Sequence, residues 1–212
     1  MKILFEDSEV IVLVKPVGVP SETTQNGEKG ILDLLKNQQG LKDVYLLHRL
    51  DRNVGGVMVF SKTKKSAAHI SKQIQENTFK KTYLAVVDGI IEEKQGIYKD
   101  LLFKDSSKNR SYVVNRMRKG VKEASLEYVV LNENNNKSLV KVTLHTGRTH
   151  QIRVQFASRR MPLVGDGKYG SKDNMPLALR CVHLSFKHPV TNKTVDTFAP
   201  PESPWFSFEI DQ

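Results

Sequence analysis

The chain has 212 residues, of which 39% are hydrophobic and 8% aromatic; this composition excludes a disordered protein and allows a buried core. An excess of 33 basic over 23 acidic residues gives a formal net charge of +10, which favours a polyanionic partner, either nucleic acid or an acidic membrane surface. The longest apolar runs are far shorter than the about 20 residues that a membrane-spanning helix needs.

The single cysteine, Cys181, excludes an internal disulfide and is flanked by apolar residues typical of a buried strand. Residues 1–7 become acidic too early for a secretory signal. We therefore expect a cytoplasmic, reducing location.

In chain order, a buried strand is predicted at 10–14, and a short amphipathic helix follows at 30–37. A loop that ends at Gly55-Gly56 precedes a strand at 57–60. Thr63 is placed to cap a helix from 64 to about 76.

The second half begins with a strand at 82–87, and the polar stretch 132–137 predicts a hairpin loop between strands at 127–131 and 139–144. Thr149 is expected to cap a helix over 149–158, and a last strand is predicted at 177–186. Strands outnumber helices and connections are short, so we predict an α+β fold with a mostly antiparallel sheet in a single domain over 1–212.

An acidic residue lies between two arginines in His48-Arg49-Leu50-Asp51-Arg52. Neighbouring cations favour the ionised form of a carboxylate, and an ionised carboxylate can act as a nucleophile or a stabiliser at a sugar carbon. On these residues alone, a solvated surface ion pair is the usual alternative.

A second segment, Gly147-Arg148-Thr149-His150-Gln151-Ile152-Arg153, places arginines at a predicted helix start, which is a favourable seat for phosphate. On that helix Thr149 and Arg153 share a face. The alternative is a helix with a solvated basic face.

A third segment, Lys80-Lys81-Thr82-Tyr83, sets an aromatic ring beside lysines, an arrangement that suits stacking on a nucleic-acid base. A tyrosine at the edge of the core, with its hydroxyl in water, is the other interpretation.

Two basic clusters lie along the chain, and such clusters hold phosphates with salt-dependent affinity. The alternative for each is a solvated loop. The first comprises Lys62, Lys64, Lys65, Lys72, Lys80 and Lys81; the second has seven basic residues against Asp105, namely Lys104, Lys108, Arg110, Arg116, Arg118, Lys119 and Lys122.

Together these segments resemble the RluA-type RNA pseudouridine synthases over nearly the whole chain. Five segments carry the resemblance. They are Lys15-Pro16-Val17-Gly18, the motif from His48 to Asp51, Lys81-Thr82-Tyr83, the segment 147–154, and the segment 164–170 with the sequence Val-Gly-Asp-Gly-Lys-Tyr-Gly. Closing segments at His183-Leu184, His188-Pro189 and 198–200 are also similar to the family.

This resemblance implies the pseudouridine synthase fold, a mixed and mostly antiparallel sheet with flanking helices and a central RNA-binding cleft. The reaction would detach a uridine base and rejoin it through carbon, in ribosomal or transfer RNA. The partner would be RNA, and we expect a monomer that needs no cofactor, metal or membrane.

It also implies roles for individual residues. Asp51 would be the catalytic nucleophile, Tyr83 would pack on the base and assist proton movement, and Arg153 would pair with Asp51. Arg49 would help displace the target base. RNA contacts are further expected from His48, Lys81, Arg148 and His150.

Three departures from the family pattern stand out. Asn53-Val54-Gly55-Gly56 replaces an acidic residue followed by Thr-Ser-Gly, and Gln155 replaces a histidine. The early motif begins near residue 10, so the accessory N-terminal RNA-binding domain of some relatives is expected to be absent.

The altered loop motivates an alternative function, a non-catalytic RNA-binding or chaperone protein on the same scaffold. A glycosidase-like hydrolase is a third hypothesis, in which Asp51 works with a second acid. The nearest motif acid is Asp166, in a Gly-Asp-Gly turn whose role is expected to be structural.

Overall fold

The computed structural model describes residues 1–38, 41 and 43–201 of the chain. These residues divide into two compact units, the first made of Met1–Lys81 and Arg180–Pro201 and the second of Thr82–Leu179.

The elements follow one another along the chain as strands β1 to β11, helices α1 to α3 and one 3-10 turn. In chain order they are β1 (Lys2–Glu6), β2 (Val10–Lys15), α1 (Ile31–Gln38), β3 (Tyr45–Leu46), β4 (Gly55–Ser61), α2 (Lys64–Gln75), β5 (Lys80–Asp88), β6 (Gln95–Asp105), β7 (Arg110–Val114), β8 (Val121–Asn134), β9 (Lys137–Leu144), α3 (Gln151–Ala157), the 3-10 turn (Gly167–Tyr169), β10 (Leu179–Lys187) and β11 (Thr194–Phe198).

In the first unit the strand order is β1-β2-β4-β10, with β3 paired to β4 and β11 to β10. The β4–β10 pair is parallel, and the other pairs of this unit are antiparallel. All seven residues of β4 are buried, which its apolar run requires of a strand covered on both faces.

Helix α2 begins at its predicted cap. The Thr63 hydroxyl accepts a hydrogen bond from the Ser66 N–H at 3.2 Å, which satisfies one of the free donors of the first turn. Ile70 is fully buried on the inner side of this helix.

In the second unit the strand order is β5-β9-β8-β6-β7, and every pair is antiparallel. Helix α3 packs on this sheet through an aromatic cluster, in which the Phe156 ring centroid lies 5.1 Å from that of Tyr98 and 5.8 Å from that of Tyr128. Val154 joins a further buried cluster with Leu102, Ala124 and Tyr169.

The predicted hairpin at the asparagine stretch is confirmed. Strands β8 and β9 extend further into it than expected, to Asn134 and from Lys137. Asn135 and Asn136 form the turn in the left-handed region, with φ of 49° and 58°, a conformation that asparagine tolerates better than most residues.

The predicted α+β class is confirmed, but two expectations about elements were wrong. Thr149 does not cap α3; the N-cap is His150, with a φ of 53° and no side-chain capping bond. Strands β1, β3, β6, β7 and β11 were not predicted.

Within residues 1–38, 41 and 43–201, no helix has both the length and the apolar character to cross a membrane.

Candidate active site

Asp51 lies in a tight turn between β3 and β4 in the first unit. The Val54 N–H donates to the Asp51 carbonyl at 3.0 Å, which closes the turn and leads directly into Gly55 of β4. The Asp51 residue is half-buried, whereas Arg49 and Arg52 on either side are exposed. The turn therefore presents one carboxylate between two arginines, as the sequence indicated.

The segment that follows β2 holds this turn in place. The Gly18 N–H donates to the Arg52 carbonyl at 2.9 Å, and Arg52 Nε donates back to the Gly18 carbonyl at 2.9 Å. The Ser21 hydroxyl donates to the Leu50 carbonyl at 2.8 Å and accepts from the Leu50 N–H at 3.1 Å. The backbone on both sides of Asp51 is thus fixed by the Lys-Pro-Val-Gly turn and the residues after it.

The buried side chain of Lys15 supports the same turn from the protein interior. Its side chain is fully buried, and Nζ donates to the carbonyls of Pro16 at 2.9 Å, Val19 at 2.7 Å and Arg52 at 3.3 Å. Burial lowers the pKa of Lys15 to about 8, and the charge of Asp51 partly offsets that effect. A buried ammonium group is thereby electrostatically coupled to the Asp51 turn.

Both arginines beside Asp51 form ion pairs with the segment that precedes α1. Arg49 Nη1 lies 2.8 Å from Glu22 Oε1, and Arg52 Nη2 lies 2.9 Å from Glu28 Oε1. Both pairs are solvent-exposed, so they are weak and open to competition from other anions.

Gly56 is required by the close approach of β10. It has a φ of +126°, and a Cβ at this position would lie 2.0 Å from the Cys181 carbonyl oxygen. A Cβ at Gly55 would be tight against Val17 Cγ2, at 3.1 Å, and would make an ordinary contact of 3.4 Å with Nη1 of Arg180, a buried residue of β10. Gly56 thus allows β10 to lie against the end of the Asp51 turn.

Arg153 lies on α3 in the second unit and is buried. Its Nε donates to Asp166 Oδ2 at 2.6 Å, and its Nη2 donates to Asp166 Oδ1 at 2.8 Å. The guanidinium carbon also lies 5.2 Å from the centre of the Tyr169 ring. Planar bidentate pairing of this kind fixes the orientation of the arginine.

Gln151, rather than Thr149, organises the loop before α3. Its Oε1 accepts from the Thr146 hydroxyl at 2.7 Å and from the Arg148 N–H at 3.0 Å, and its Nε2 donates to the Ser125 carbonyl at 3.0 Å. Gln151 thus occupies the Arg148 N–H, so this donor is not free for the phosphate seat expected at the helix start. The seat itself stays a prediction.

The chain matches the family model described as RNA pseudouridylate synthase over residues 9–158. An uncharacterised RNA pseudouridine synthase of Mycoplasma pneumoniae is 33% identical over 91% of this chain and 64% of its own length. The ribosomal large subunit pseudouridine synthase C of Buchnera aphidicola is 30% identical over 93% of this chain and 66% of its own.

The chain belongs to the RNA pseudouridylate synthase family. This confirms the resemblance stated from the motifs. The chain spans about two thirds of the length of these curated relatives, 64% and 66% for the two named above.

A solved structure supports the fold assignment. The human protein called RNA pseudouridylate synthase domain containing 4 superposes with a TM-score of 0.78 at 23% identity, over 95% of this chain and 89% of its own. At this identity the likeness bears on the fold alone, and the expected pseudouridine synthase fold is confirmed.

The residues expected in the site of this family member fall in both units. Asp51, Arg49, His48 and Lys81 belong to the first unit, and Tyr83, Arg148, His150 and Arg153 belong to the second. The pairing of Arg153 with Asp51 stays a prediction. The structure shows that Asp166 is an acidic partner of Arg153.

The His48 side chain packs toward β4 and Phe79. Its Nε2 accepts from the Val59 N–H of β4 at 3.2 Å, Nδ1 is buried, and its ring centroid lies 5.7 Å from that of Phe79. Burial, with a smaller effect from the charge of Lys81, lowers the pKa of His48 to about 3. The ring is therefore neutral at physiological pH and ties the motif to β4; an RNA contact through it stays a prediction.

Lys81 is half-buried, with Nζ 5.9 Å from the centre of the Phe79 ring, and burial lowers its pKa. Tyr83 is buried on β5, where it pairs in register with Val142 of β9. Its ring thus lies inside rather than at a solvent-exposed edge of the core, which was the other interpretation of the residue pattern.

Arg148 and His150 are both held by protein groups. Arg148 Nε donates to the Glu123 carbonyl at 2.8 Å, and His150 Nδ1 lies 3.0 Å from the Tyr169 hydroxyl. His150 is buried. Neither contact tests the RNA-binding roles predicted for these two residues.

Four residues of this arrangement were not predicted as functional: Lys15, Ser21, Asp166 and Arg180. Lys15 and Asp166 stand inside motifs that were recognised, so their buried position was the missing information. Ser21 and Arg180 lie outside those motifs, and nothing in their sequence neighbourhood distinguishes them.

The departure at Gln155 has a structural role. Gln155 is fully buried, and its Nε2 donates to Asp100 Oδ2 at 2.7 Å and to the Tyr98 carbonyl at 3.3 Å. It therefore anchors α3 to β6. In the part of the chain that the structure describes, no cluster of three His, Cys, Asp or Glu side chains is placed to hold a metal ion.

Proposed function

We propose that this family member is an RNA pseudouridine synthase that isomerises specific uridines in ribosomal or transfer RNA, with the Asp51 carboxylate as its nucleophile. The observation that carries the proposal is the Asp51 turn. It belongs to a matched family segment, and its backbone is fixed by Gly18 and Ser21 while Arg49 and Arg52 stand on either side.

The reaction is an internal exchange of bonds. The bond between N1 of the base and C1′ of the ribose breaks, and a bond between C5 and C1′ forms. N1 gains a proton and C5 loses one, so no oxidant or reductant is required. A carboxylate near the ribose serves this exchange either by attack on C1′ or by removal of a ribose proton, which gives a glycal-type route.

Other groups would support these steps. A uridine in a folded RNA must leave its stack before it reacts, at a cost of a few kcal/mol. Arg49 is exposed and carries a cation that can fill the vacated space. Tyr83 would contact the base, and Arg153, oriented by Asp166, would keep the nucleophile ionised.

The altered loop after Asp51 was the reason to consider a non-catalytic RNA-binding protein. In the structure Asn53-Val54-Gly55-Gly56 closes a hydrogen-bonded turn and meets the steric demand of β10. The loop therefore gives no independent reason to prefer the non-catalytic function. For the hydrolase hypothesis, the second acid considered, Asp166, is engaged by Arg153.

The test uses RNA labelled with tritium at C5 of uridine, prepared from cells that lack the gene. Wild type should release tritium, and mapping should place pseudouridine at defined sites. Asp51→Asn should abolish release while RNA affinity stays within several-fold. Asp43→Asn, which changes an exposed aspartate close in sequence, is the matched control and should retain activity.

Normal turnover by Asp51→Asn would refute the nucleophile. RNA binding by wild type without any pseudouridine would favour the non-catalytic alternative, and release of free uracil would indicate a hydrolase. The cytoplasmic location, monomeric state and single-domain organisation stay predictions.

A further inference from the structure

Arg110 is the first residue of β7, and its guanidinium lies near two tyrosine rings. Its guanidinium carbon lies 5.4 Å from the centre of the Tyr112 ring and 5.0 Å from that of Tyr169. Nε is buried and has no hydrogen-bond partner within the described residues. The side chain is thus positioned by rings while its Nε donor is left unused.

Three other arginines in this unit contrast with Arg110. Arg153 is paired with Asp166, Arg159 with Asp100, and Arg148 Nε donates to a backbone carbonyl. For Arg110, no carboxylate of the described residues lies within ion-pair distance. Buried donors are almost always satisfied in folded proteins, so an orphaned guanidinium donor points to an acceptor supplied from outside.

The acid that faces Arg110 across the hairpin is already engaged. Asp105 pairs in register with Arg110, but its Oδ1 accepts from the Ser107 N–H at 3.0 Å, the Ser107 hydroxyl at 2.6 Å and the Lys108 N–H at 3.2 Å. Asp105 closes the β6–β7 turn rather than neutralising the arginine.

Tyr169, on which Arg110 stacks, is rigidly held. Its hydroxyl accepts from the Ser111 N–H at 2.9 Å, donates to the Ser111 carbonyl at 3.2 Å, and lies 3.0 Å from His150 Nδ1. Ser111 in turn donates through its hydroxyl to the Thr149 carbonyl at 2.6 Å. The ring therefore offers Arg110 a fixed platform.

The same ring also contacts Arg153, whose guanidinium carbon lies 5.2 Å from its centre. Two guanidinium groups thus share one tyrosine, and one of them is paired with Asp166 while the other has no carboxylate of the described residues within ion-pair distance. This places an unsatisfied cation beside a residue of the proposed site.

We propose that Arg110 binds a phosphate of the RNA backbone close to the target uridine. The proposal rests on the proposed function, because Arg153 defines the position of the site in this unit. The rings of Tyr112 and Tyr169 lie against the Arg110 guanidinium, and its terminal Nη groups make no hydrogen bond within the described residues. These groups are left to offer, and their planar fork matches phosphate oxygens.

Arg110→Gln tests this inference with transfer RNA and ribosomal RNA from cells that lack the gene. The variant should bind RNA about 5- to 10-fold more weakly near 0.1 M salt, and the slope of log affinity against log salt should fall by about 0.7 to 0.9, the loss of one phosphate contact. Arg110→Lys should keep the slope and lose several-fold in affinity, because it retains the charge without the fork.

Arg160→Gln is the matched control, since it removes the same group from an exposed position of the same unit. It should leave the salt slope unchanged. Equal losses in Arg110→Gln and Arg160→Gln, or a wild-type slope in a folded Arg110→Gln, would overturn the inference. If Arg110→Gln does not fold, wild-type affinity of Arg110→Lys would overturn it instead.

The two proposals fail in different ways. If wild type binds both RNAs but forms no pseudouridine, the proposed function fails while the salt slopes still decide whether Arg110 contacts phosphate. If wild type is active and Arg110→Gln binds RNA like wild type, only the proposed phosphate contact of Arg110 is wrong.

Discussion

Arg153 and Asp166 form a bidentate ion pair in which 8% of the arginine side chain and 1% of the aspartate side chain are exposed. A pair this deeply buried adds little net stability over an apolar replacement, because both charges lose their hydration. Its value lies in orientation, since the two parallel hydrogen bonds fix the guanidinium plane beside the Tyr169 ring.

Asp166→Asn should therefore be strongly destabilising. The substitution removes the charge that compensates a buried guanidinium, and loss of one partner of such a pair costs about 3–5 kcal/mol. Urea unfolding of wild type and variant gives the difference in free energy of unfolding.

Asp173→Asn is the control for this change, because Asp173 pairs with Lys137 at 3.2 Å in a partly exposed position. Its cost should lie within the about 0–1 kcal/mol of surface pairs. Equal effects of the two substitutions would show that burial of the Arg153 pair has no energetic consequence.

The Asp166 example shows what sequence can and cannot predict here. The Gly-Asp-Gly turn was recognisable as a motif, and so was the segment that carries Arg153. Their contact joins positions 13 residues apart through the fold, and no periodicity or spacing encodes it. The Asp51 turn was predictable because its chemistry is contained in consecutive residues, whereas its support from Lys15 and Ser21 spans 37 and 29 residues.

For β6, one of the strands that were missed, there is a physical reason as well. Along β6, Gln95–Asp105, one residue is buried and the others are exposed or intermediate, so the alternation of apolar and polar residues is weak. Strand β2, by contrast, is buried at five of six positions and was evident from its apolar run. Sequence patterns report burial, and strands with little burial give little signal.

A pH dependence is expected from Lys15. Its pKa is lowered from 10.5 to about 8 in the folded protein, so between these values the unfolded chain binds more protons than the folded one. Stability from this group is therefore present at high pH and is lost as pH falls through about 8.

Lys15→Met tests this dependence. At pH 7 the variant should be less stable by about 1–3 kcal/mol, because the carbonyls of Pro16, Val19 and Arg52 lose their donor. The gap between wild type and variant should widen at pH 9.5, as measured by urea unfolding. Lys62→Met removes the same amine from a partly exposed site and corrects for the general effect of losing a lysine. A gap that stays constant or narrows would contradict the predicted shift.

The ion pair between Arg49 and Glu22 predicts that the free protein restrains its own RNA affinity. The pair is exposed on both sides, so an RNA phosphate competes with Glu22 for the same guanidinium. Glu22→Gln should leave stability close to wild type and tighten RNA binding by on the order of a few-fold at low salt, with the gain shrinking as salt screens the pair. Asp173→Asn makes the same charge change beside Lys137, which belongs to the second unit and to neither basic cluster. An equal gain in both variants would mean that net charge alone sets the affinity, and filter binding across a salt series distinguishes the two outcomes.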